Sequence, residues 1–569
     1  MSNRYLSVFH VGLLLLLCGA LYVPYLGTAP FFDKGEAREA MAVQDIVRRG
    51  EWLVPLKRAT DVPSKPPLFH WSAAAAHQII GRLDEATVRL PSAFYATLGV
   101  LLVYVLGRKL FNPTTALIAG AILATTLVYQ DQALDARVDM TLCFFVTLSL
   151  TLFYSLYGGY LSHPLWYYVF FAVTGIGTLA KGPLGLLLPA LVAGVFVLTK
   201  RRWDLLAKFC LHPGIILMLT VAAGWYIVAV TWGGEGFFNR QILEENLHRF
   251  AGGSGHSHPV YYYIPYLFSQ ALPWALVLPV VLVDLFKKSS PSDDATRFLK
   301  LWFVVMFTFF SISLGKRPVY LLPLYPALSL LMAAWFVNFR RAAGASSYYY
   351  RAIGLLAGFT GAILLMVIVG DLWNHDPALL LGPIEGLLQP KDRANFIVVK
   401  NELATFGWPF TLAALAAALL WVSLARCLWS QRLRAAVPRL VLIAIVVSFV
   451  ARGLVVPKIA EARSYRPFMT EVNRMVSREG KLYLYRNSFN SDQVVFYRGE
   501  PLGEFDALGA PASKVAAKIG HGDAYVIMTE REWLAIQKIN SNLPPPLLKS
   551  AGKGPEGDTR IVLVRAEAG

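Results

Sequence analysis

Met140-Thr141-Leu142-Cys143-Phe144-Phe145-Val146-Thr147-Leu148-Ser149-Leu150-Thr151-Leu152-Phe153-Tyr154-Ser155-Leu156-Tyr157 is a stretch of eighteen residues without one charged side chain. A helix needs ~20 predominantly apolar residues to cross the hydrocarbon core of a bilayer. An open strand in lipid would leave its backbone N–H and C=O groups unpaired, so the stretch reads as a membrane-spanning helix. Leu6–Leu26, Ala116–Tyr129 and Ile353–Leu372 read the same way. The whole chain agrees: 56% of its 569 residues are hydrophobic and 16% charged, with a mean hydropathy of +0.49, too apolar for a water-soluble domain. Spans of alternating orientation number about thirteen by this reading.

The formal net charge of +17 raises the question of a nucleic-acid partner, and the positions of the charges exclude it. Arg108 and Lys109, Lys200–Arg202 with Lys208, Lys287 and Lys288, Arg340 and Arg341 with Arg351, and Arg432–Arg439 fall in short loops that share one side when the spans alternate. That side is cytoplasmic by the positive-inside rule, so these charges set topology. Cys18, Cys143, Cys210 and Cys427 form no spaced cluster, and neither a disulfide framework nor a zinc ribbon is expected. The first apolar run lacks a small-x-small cleavage site and is followed by many further spans, which makes it a retained helix.

The expected protein is a polytopic α-helical membrane protein of the bacterial inner membrane. Its membrane domain covers residues 1–456 and is followed by a soluble α/β periplasmic domain over 457–569. Alternation puts a long loop, 27–90, and a second, 233–263, on the periplasmic face. In the first loop, Ala40, Val43 and Val47 make the apolar stripe of a surface helix that stops at Gly50. In the tail, Leu482–Tyr485, Val494–Tyr497, Tyr525–Met528 and Ile561–Val564 read as strands, and Thr529 to Glu532 as a capping box.

Ionisable groups gathered at membrane level are costly and so point to function. Four such groups lie outside: Phe32-Asp33-Lys34-Gly35-Glu36-Ala37-Arg38-Glu39, Pro63-Ser64-Lys65-Pro66-Pro67-Leu68-Phe69-His70-Trp71, Asp135-Ala136-Arg137-Val138-Asp139 and Lys316-Arg317-Pro318-Val319-Tyr320. Carboxylates there suit a general base on an acceptor hydroxyl, and Lys and Arg suit a phosphate that gains charge as its sugar leaves. Tyr261–Tyr263 and Trp274 read as interface anchors. Neither a glycine-rich phosphate loop nor an Asp-x-Asp triplet is present, which argues against a nucleotide-sugar donor.

Gly35-Glu36-Ala37-Arg38-Glu39-Ala40, Gly50-Glu51-Trp52-Leu53-Val54-Pro55 and Ser64-Lys65-Pro66-Pro67-Leu68-Phe69-His70-Trp71 resemble the first loop of the polyprenyl-phosphate-dependent GT-C glycosyltransferases. That family includes the lipid A aminoarabinose transferases and, more distantly, the protein O-mannosyltransferases. Arg89-Leu90-Pro91-Ser92, Ala180-Lys181-Gly182-Pro183, Pro273-Trp274 and Lys316 to Pro323 continue the likeness, which covers residues 1 to about 340. The resemblance implies an inverting transfer from an undecaprenyl-phosphate sugar, with membrane lipids around the enzyme and lipid A, another glycan or a protein as acceptor.

In the aminoarabinose transferases the first loop carries Asp-Glu-x-Arg-Tyr. Here Gly35 takes the Asp position, Glu36 the Glu position, and Glu39 stands where the Tyr would be. Glu36 is therefore the expected catalytic carboxylate, with Asp33 as its fallback and Asp139 as the second acid. Arg38, Lys65, Lys316 and Arg317 are expected to bind the carrier phosphate, with Lys181 and Tyr320 as further contacts. His256 has the spacing of a family residue able to bind a divalent metal, but its partner position holds Ser64, so no cofactor is required. Two rival readings stand beside the enzyme: a lipid-linked oligosaccharide flippase, whose ionisable groups would sit at the bilayer midplane, and an inactive scaffold.

Overall fold

The computed structural model describes residues 3–57, 61–241, 244, 257–287, 293–339, 345–374, 385–386, 388–402, 405–485, 489, 491–505, 518–551 and 560–567. Among them, nine helices are long and apolar enough to cross a membrane, including Glu85–Leu110, Val138–Tyr157, Asp294–Ile312 and Gly407–Trp429. A tenth candidate is a bent pair, Pro113–Thr125 and Leu127–Ala133, which meet at 66°. The higher count of about thirteen expected from sequence takes in shorter apolar segments. Leu165–Lys181 and Leu184–Thr199 form a hairpin of seventeen and sixteen residues, and the stretch from Tyr263 to Phe286 is broken into two short helices with a 3-10 turn between them.

The bend in the pair has a local cause. Thr125 and Thr126 both turn their hydroxyls back onto carbonyls one turn earlier, at Ala121 and Ile122, which competes with the helical ladder. Thr126 itself is extended. The short arm Leu127–Ala133 is thereby turned across the end of the helix bundle, where it carries Asp131 and Gln132.

The first-loop helix runs Lys34–Arg49. Asp33 caps its start by accepting from the backbone N–H of Gly35 (2.6 Å) and Glu36 (3.0 Å), and Gly50 ends it in the left-handed conformation at φ 69°. Both limits follow from sequence. Ala37, Ala40, Met41, Val43 and Ile46 form one apolar face, and it packs against Phe468, Met469, Val472, Val494 and Phe496 from the C-terminal part of the chain. Polar contacts surround that seam. Gln44 donates to the Phe496 carbonyl (3.1 Å), Tyr497 donates to Glu85 (2.9 Å), and Lys57 pairs with Asp492 (3.1 Å).

The C-terminal region holds a five-stranded mixed sheet built from β1 (Leu482–Tyr485), β2 (Gly503–Phe505), β3 (Ile519–Thr529), β4 (Leu548–Lys549) and β5 (Ile561–Ala566). Its strand order is β2-β1-β3-β5-β4. The capping box at Thr529 and Glu532 forms as expected. Val494–Tyr497 does not form a strand: it lies in the helix Asp492–Arg498, which is stopped by Gly499 at φ 89°. Its β-branched residues favour extended backbone, but burial against the first-loop helix outweighs that local preference.

Candidate active site

A cavity of about 480 Å³ opens where the first-loop helix, the short bent arm, the start of Val138–Tyr157 and the 313–320 turn converge. Arg38, Lys65, Asp139, Lys181, Lys316, Arg317 and Tyr320, all singled out from sequence, line it together. Its walls present six Lys or Arg side chains (those five and Arg137) against four carboxylates, Glu39, Asp131, Asp135 and Asp139. The excess positive charge suits one phosphate.

Several of these groups hold one another in place. Lys181 ends its helix, pairs with Asp139 at the start of the preceding span, and lies 4.6 Å above the Tyr320 ring. Lys316 donates to the carbonyls of Ser313 and, at 2.9 Å, His258. It therefore ties two segments together as well as facing the cavity. Burial draws its ammonium below the ordinary lysine value. His258 stacks on Tyr262, with ring centres 4.1 Å apart, and both line the cavity.

Glu36 and Asp33 do not line this cavity. They face an adjoining one of about 280 Å³, and Asp131, Gln132 and Asp135 form the wall shared by the two. Glu36 is buried and held on both carboxylate oxygens by Arg89, at 2.7 and 2.8 Å, and it also accepts from the Ala136 N–H at 3.0 Å. Asp33, the helix cap, pairs in addition with Arg137. Burial opposes the ionisation of Asp33, but the Arg137 charge and the two backbone N–H groups hold its carboxyl below the ordinary range. Asp135 behaves oppositely. Burial, with Glu36 and Asp33 nearby, pushes its carboxyl well above that range against the pull of Arg137.

Gly35 explains why a guanidinium sits at this point. A β-carbon on residue 35 would land on the Arg137 guanidinium, so Arg137 fills the space that any side chain there would take. Gly35→Ala is expected to drive Arg137 off Asp33 and to cost about 1–3 kcal/mol through the loss of a charge-assisted hydrogen bond. A thermal melt of the purified variant checks this, and an unshifted melt would show that Arg137 has room to move.

Three further residues act here without having been assigned a role from sequence. Arg89 appears in sequence within the Arg89-Leu90-Pro91-Ser92 motif, and a charge one turn inside a largely apolar helix implies a buried acid partner. Glu39 and His70 form a pair at 2.9 Å, and the clue to it is a carboxylate and an imidazole in two neighbouring motifs. Two interface anchors are placed differently from expectation. Trp274 is fully buried and donates to the Thr125 hydroxyl at 3.1 Å, and Tyr263 is fully buried as well, while Tyr261 is exposed. His256 lies outside the described residues. Among the described residues no three metal-ligating side chains gather, and Ser64 offers a neutral hydroxyl where a metal needs a carboxylate or imidazole.

Known proteins resemble this chain in sequence and in fold. The sequence model of the dolichyl-phosphate-mannose-protein mannosyltransferase family matches residues 64–228. The undecaprenyl phosphate-alpha-4-amino-4-deoxy-L-arabinose arabinosyl transferase of Pseudomonas paraeruginosa is 31% identical over 73% of this chain and 74% of its own length. In fold, the chain is similar to ArnT from Cupriavidus metallidurans, crystallised with undecaprenyl phosphate, with a TM-score of 0.75 at 20% identity over 99% of this chain and 98% of that one. It is more distantly similar to an Archaeoglobus fulgidus oligosaccharyltransferase, with a TM-score of 0.51 at 12% identity over 95% and 71%. A membrane helix bundle with acids and bases clustered around one cavity, and a relative of this identity over most of both chains, lead to one conclusion: the chain belongs to the family of the undecaprenyl phosphate-alpha-4-amino-4-deoxy-L-arabinose arabinosyl transferases, membrane glycosyltransferases of the GT-C fold.

Proposed function

We propose that the protein transfers a sugar from undecaprenyl phosphate, or a closely related polyprenyl phosphate, to an acceptor at the periplasmic face of the inner membrane, with inversion at the anomeric carbon. Convergence of seven sequence-predicted residues on one cationic cavity carries this reading. Arg38, Lys65, Lys181 and Arg317 bind the carrier phosphate, with Lys316 and Tyr320 completing its surroundings. As the bond between sugar and phosphate breaks, charge grows on the phosphate, and preorganised cations stabilise the transition state more than the ground state.

Asp139 holds Lys181 towards the phosphate. Glu36 works at one remove: its bonds to Arg89 and the Ala136 N–H fix the 135–139 segment that carries Arg137 and Asp139. Asp33 does the same from the helix cap. The acceptor belongs to the class of lipid A, glycan or protein. The deciding experiment supplies the purified protein in lipid nanodiscs with radiolabelled undecaprenyl-phosphate sugars, one an aminopentose and one a neutral hexose. Release of free undecaprenyl phosphate in step with acceptor labelling is the expected result. Passage of intact donor across a sealed bilayer without such release would favour a flippase instead.

A further inference from the structure

Arg452 is the single charged residue in the run 440–456, inside the last candidate span, Leu433–Arg463. A cation within an apolar span is costly, so it calls for a partner and a purpose. The chain around it, Phe449–Val455, is wound as a π-helix, a winding frequent at functional sites. Its partner is Asp131 on the short bent arm, with which it forms an ion pair. Ser448 donates to the side-chain carbonyl of the neighbouring Gln130, and Thr28 donates to the Arg452 carbonyl at 3.4 Å. The arm is thus tied to the last span by a neutral bond as well as by the ion pair.

This pair differs from the others around the phosphate cavity. Glu39 is met by Arg38, Asp135 by Arg137 and Asp139 by Lys181, and each of those cations lines the same cavity. Asp131 lines it too, but Arg452 lines the smaller adjoining one. Among the described residues, Asp131 is therefore the one carboxylate of the phosphate cavity whose cation stands outside it. The other three each engage a cation that a phosphate would use. Asp131, met from the adjoining cavity, leaves those cations alone, and with Arg452 counted the balance around the site is seven cations to four carboxylates.

Resting on the transferase reading above, we infer that Arg452 is a positioning residue for donor binding: it holds and neutralises Asp131, so that this carboxylate neither pairs with the cations of the cavity nor repels the phosphate. The Asp131 side chain is 43% exposed, so only its partner fixes its direction. Without Arg452, a full negative charge is left on the cavity wall, within reach of the lysines and arginines that the phosphate needs. The penalty grows with the charge of the ligand. A donor phosphodiester carries one negative charge, whereas the free polyprenyl phosphate left after transfer is a monoester, with about 1.5 to 2 negative charges at neutral pH.

The test uses the full chain in lipid nanodiscs, with an undecaprenyl-phosphate sugar as donor and free undecaprenyl phosphate as competitor. Arg452→Ala is expected to raise the donor KM a few-fold and the inhibition constant of undecaprenyl phosphate about tenfold, the scale of one uncompensated charge near a site. Asp131→Asn is expected to lower both constants, because the Arg452 charge remains with no carboxylate against it. The double variant Arg452→Ala/Asp131→Asn should return close to the wild type. A pair that only fastened the arm would behave otherwise: either single substitution breaks the same tie, both would weaken binding, and the double variant would not recover. Wild-type constants in Arg452→Ala, or a rise in them in Asp131→Asn, overturns the inference while leaving the transferase intact. No release of undecaprenyl phosphate by the wild type with any donor removes the transferase reading and this inference with it. Should Arg452→Ala fail to fold, Asp131→Asn decides: a lower inhibition constant supports the role, and an unchanged or higher one refutes it.

Discussion

Arg89→Ala is expected to yield little folded protein, and what folds should melt well below the wild type. The guanidinium is 3% exposed, holds both oxygens of Glu36, and donates to the carbonyls of Leu26 (3.0 Å) and Ala29 (2.6 Å). Removing it strands a buried carboxylate and two carbonyls. Breaking a buried pair from one side costs about 3–5 kcal/mol, a large share of the roughly 5–15 kcal/mol that separates folded from unfolded proteins. Arg89→Lys should recover only part of this, because an ammonium cannot make the planar two-oxygen contact. The double variant Arg89→Leu/Glu36→Leu should melt above Arg89→Ala, since no charge is left unpaired, while remaining inactive because the 135–139 segment has lost its tether. Melts of detergent-purified variants read the order directly. If Arg89→Ala melts with the wild type, the pair is not a structural clamp.

The second large effect is on catalysis. Lys65→Ala and Lys181→Ala are each expected to lower kcat/KM by about 10²–10³-fold, the usual cost of removing one preorganised group from a transition-state charge. Both ammonium groups line the cationic cavity. Arg in place of Lys65 should keep some activity as a charge of different shape. Asp139→Asn should resemble Lys181→Ala, because it releases the lysine it positions. Release of labelled undecaprenyl phosphate measures all four, and a Lys65→Ala enzyme with wild-type kcat/KM would move the phosphate elsewhere.

Local pattern carried much of this protein. Apolar runs announced the spans, Gly50 marked the end of the first-loop helix, and Thr529 with Glu532 marked a cap that formed. Seven residues of the cationic cavity were legible because each of them sits in a short motif next to a span. What could not be read were partners distant in sequence. Glu36 looked like the catalytic carboxylate, and only the approach of Arg89, 53 positions on, turns it into half of a clamp. Gly35 looked like a missing carboxylate, whereas in space it makes room for Arg137. Val494–Tyr497 failed for the same reason, since a neighbouring surface outweighed the extended preference of its residues.

The seam between the first-loop helix and the C-terminal region has a wider meaning. Arg38 and Glu39 belong to a helix whose far side rests on Phe468, Val472 and Phe496, so the tail serves as the anvil against which the reactive side is set. The two surfaces can drift through evolution only in step. A chimera joining this membrane bundle to a cousin's tail would inherit a mismatched backing, and its fault would surface as poor chemistry far from the splice.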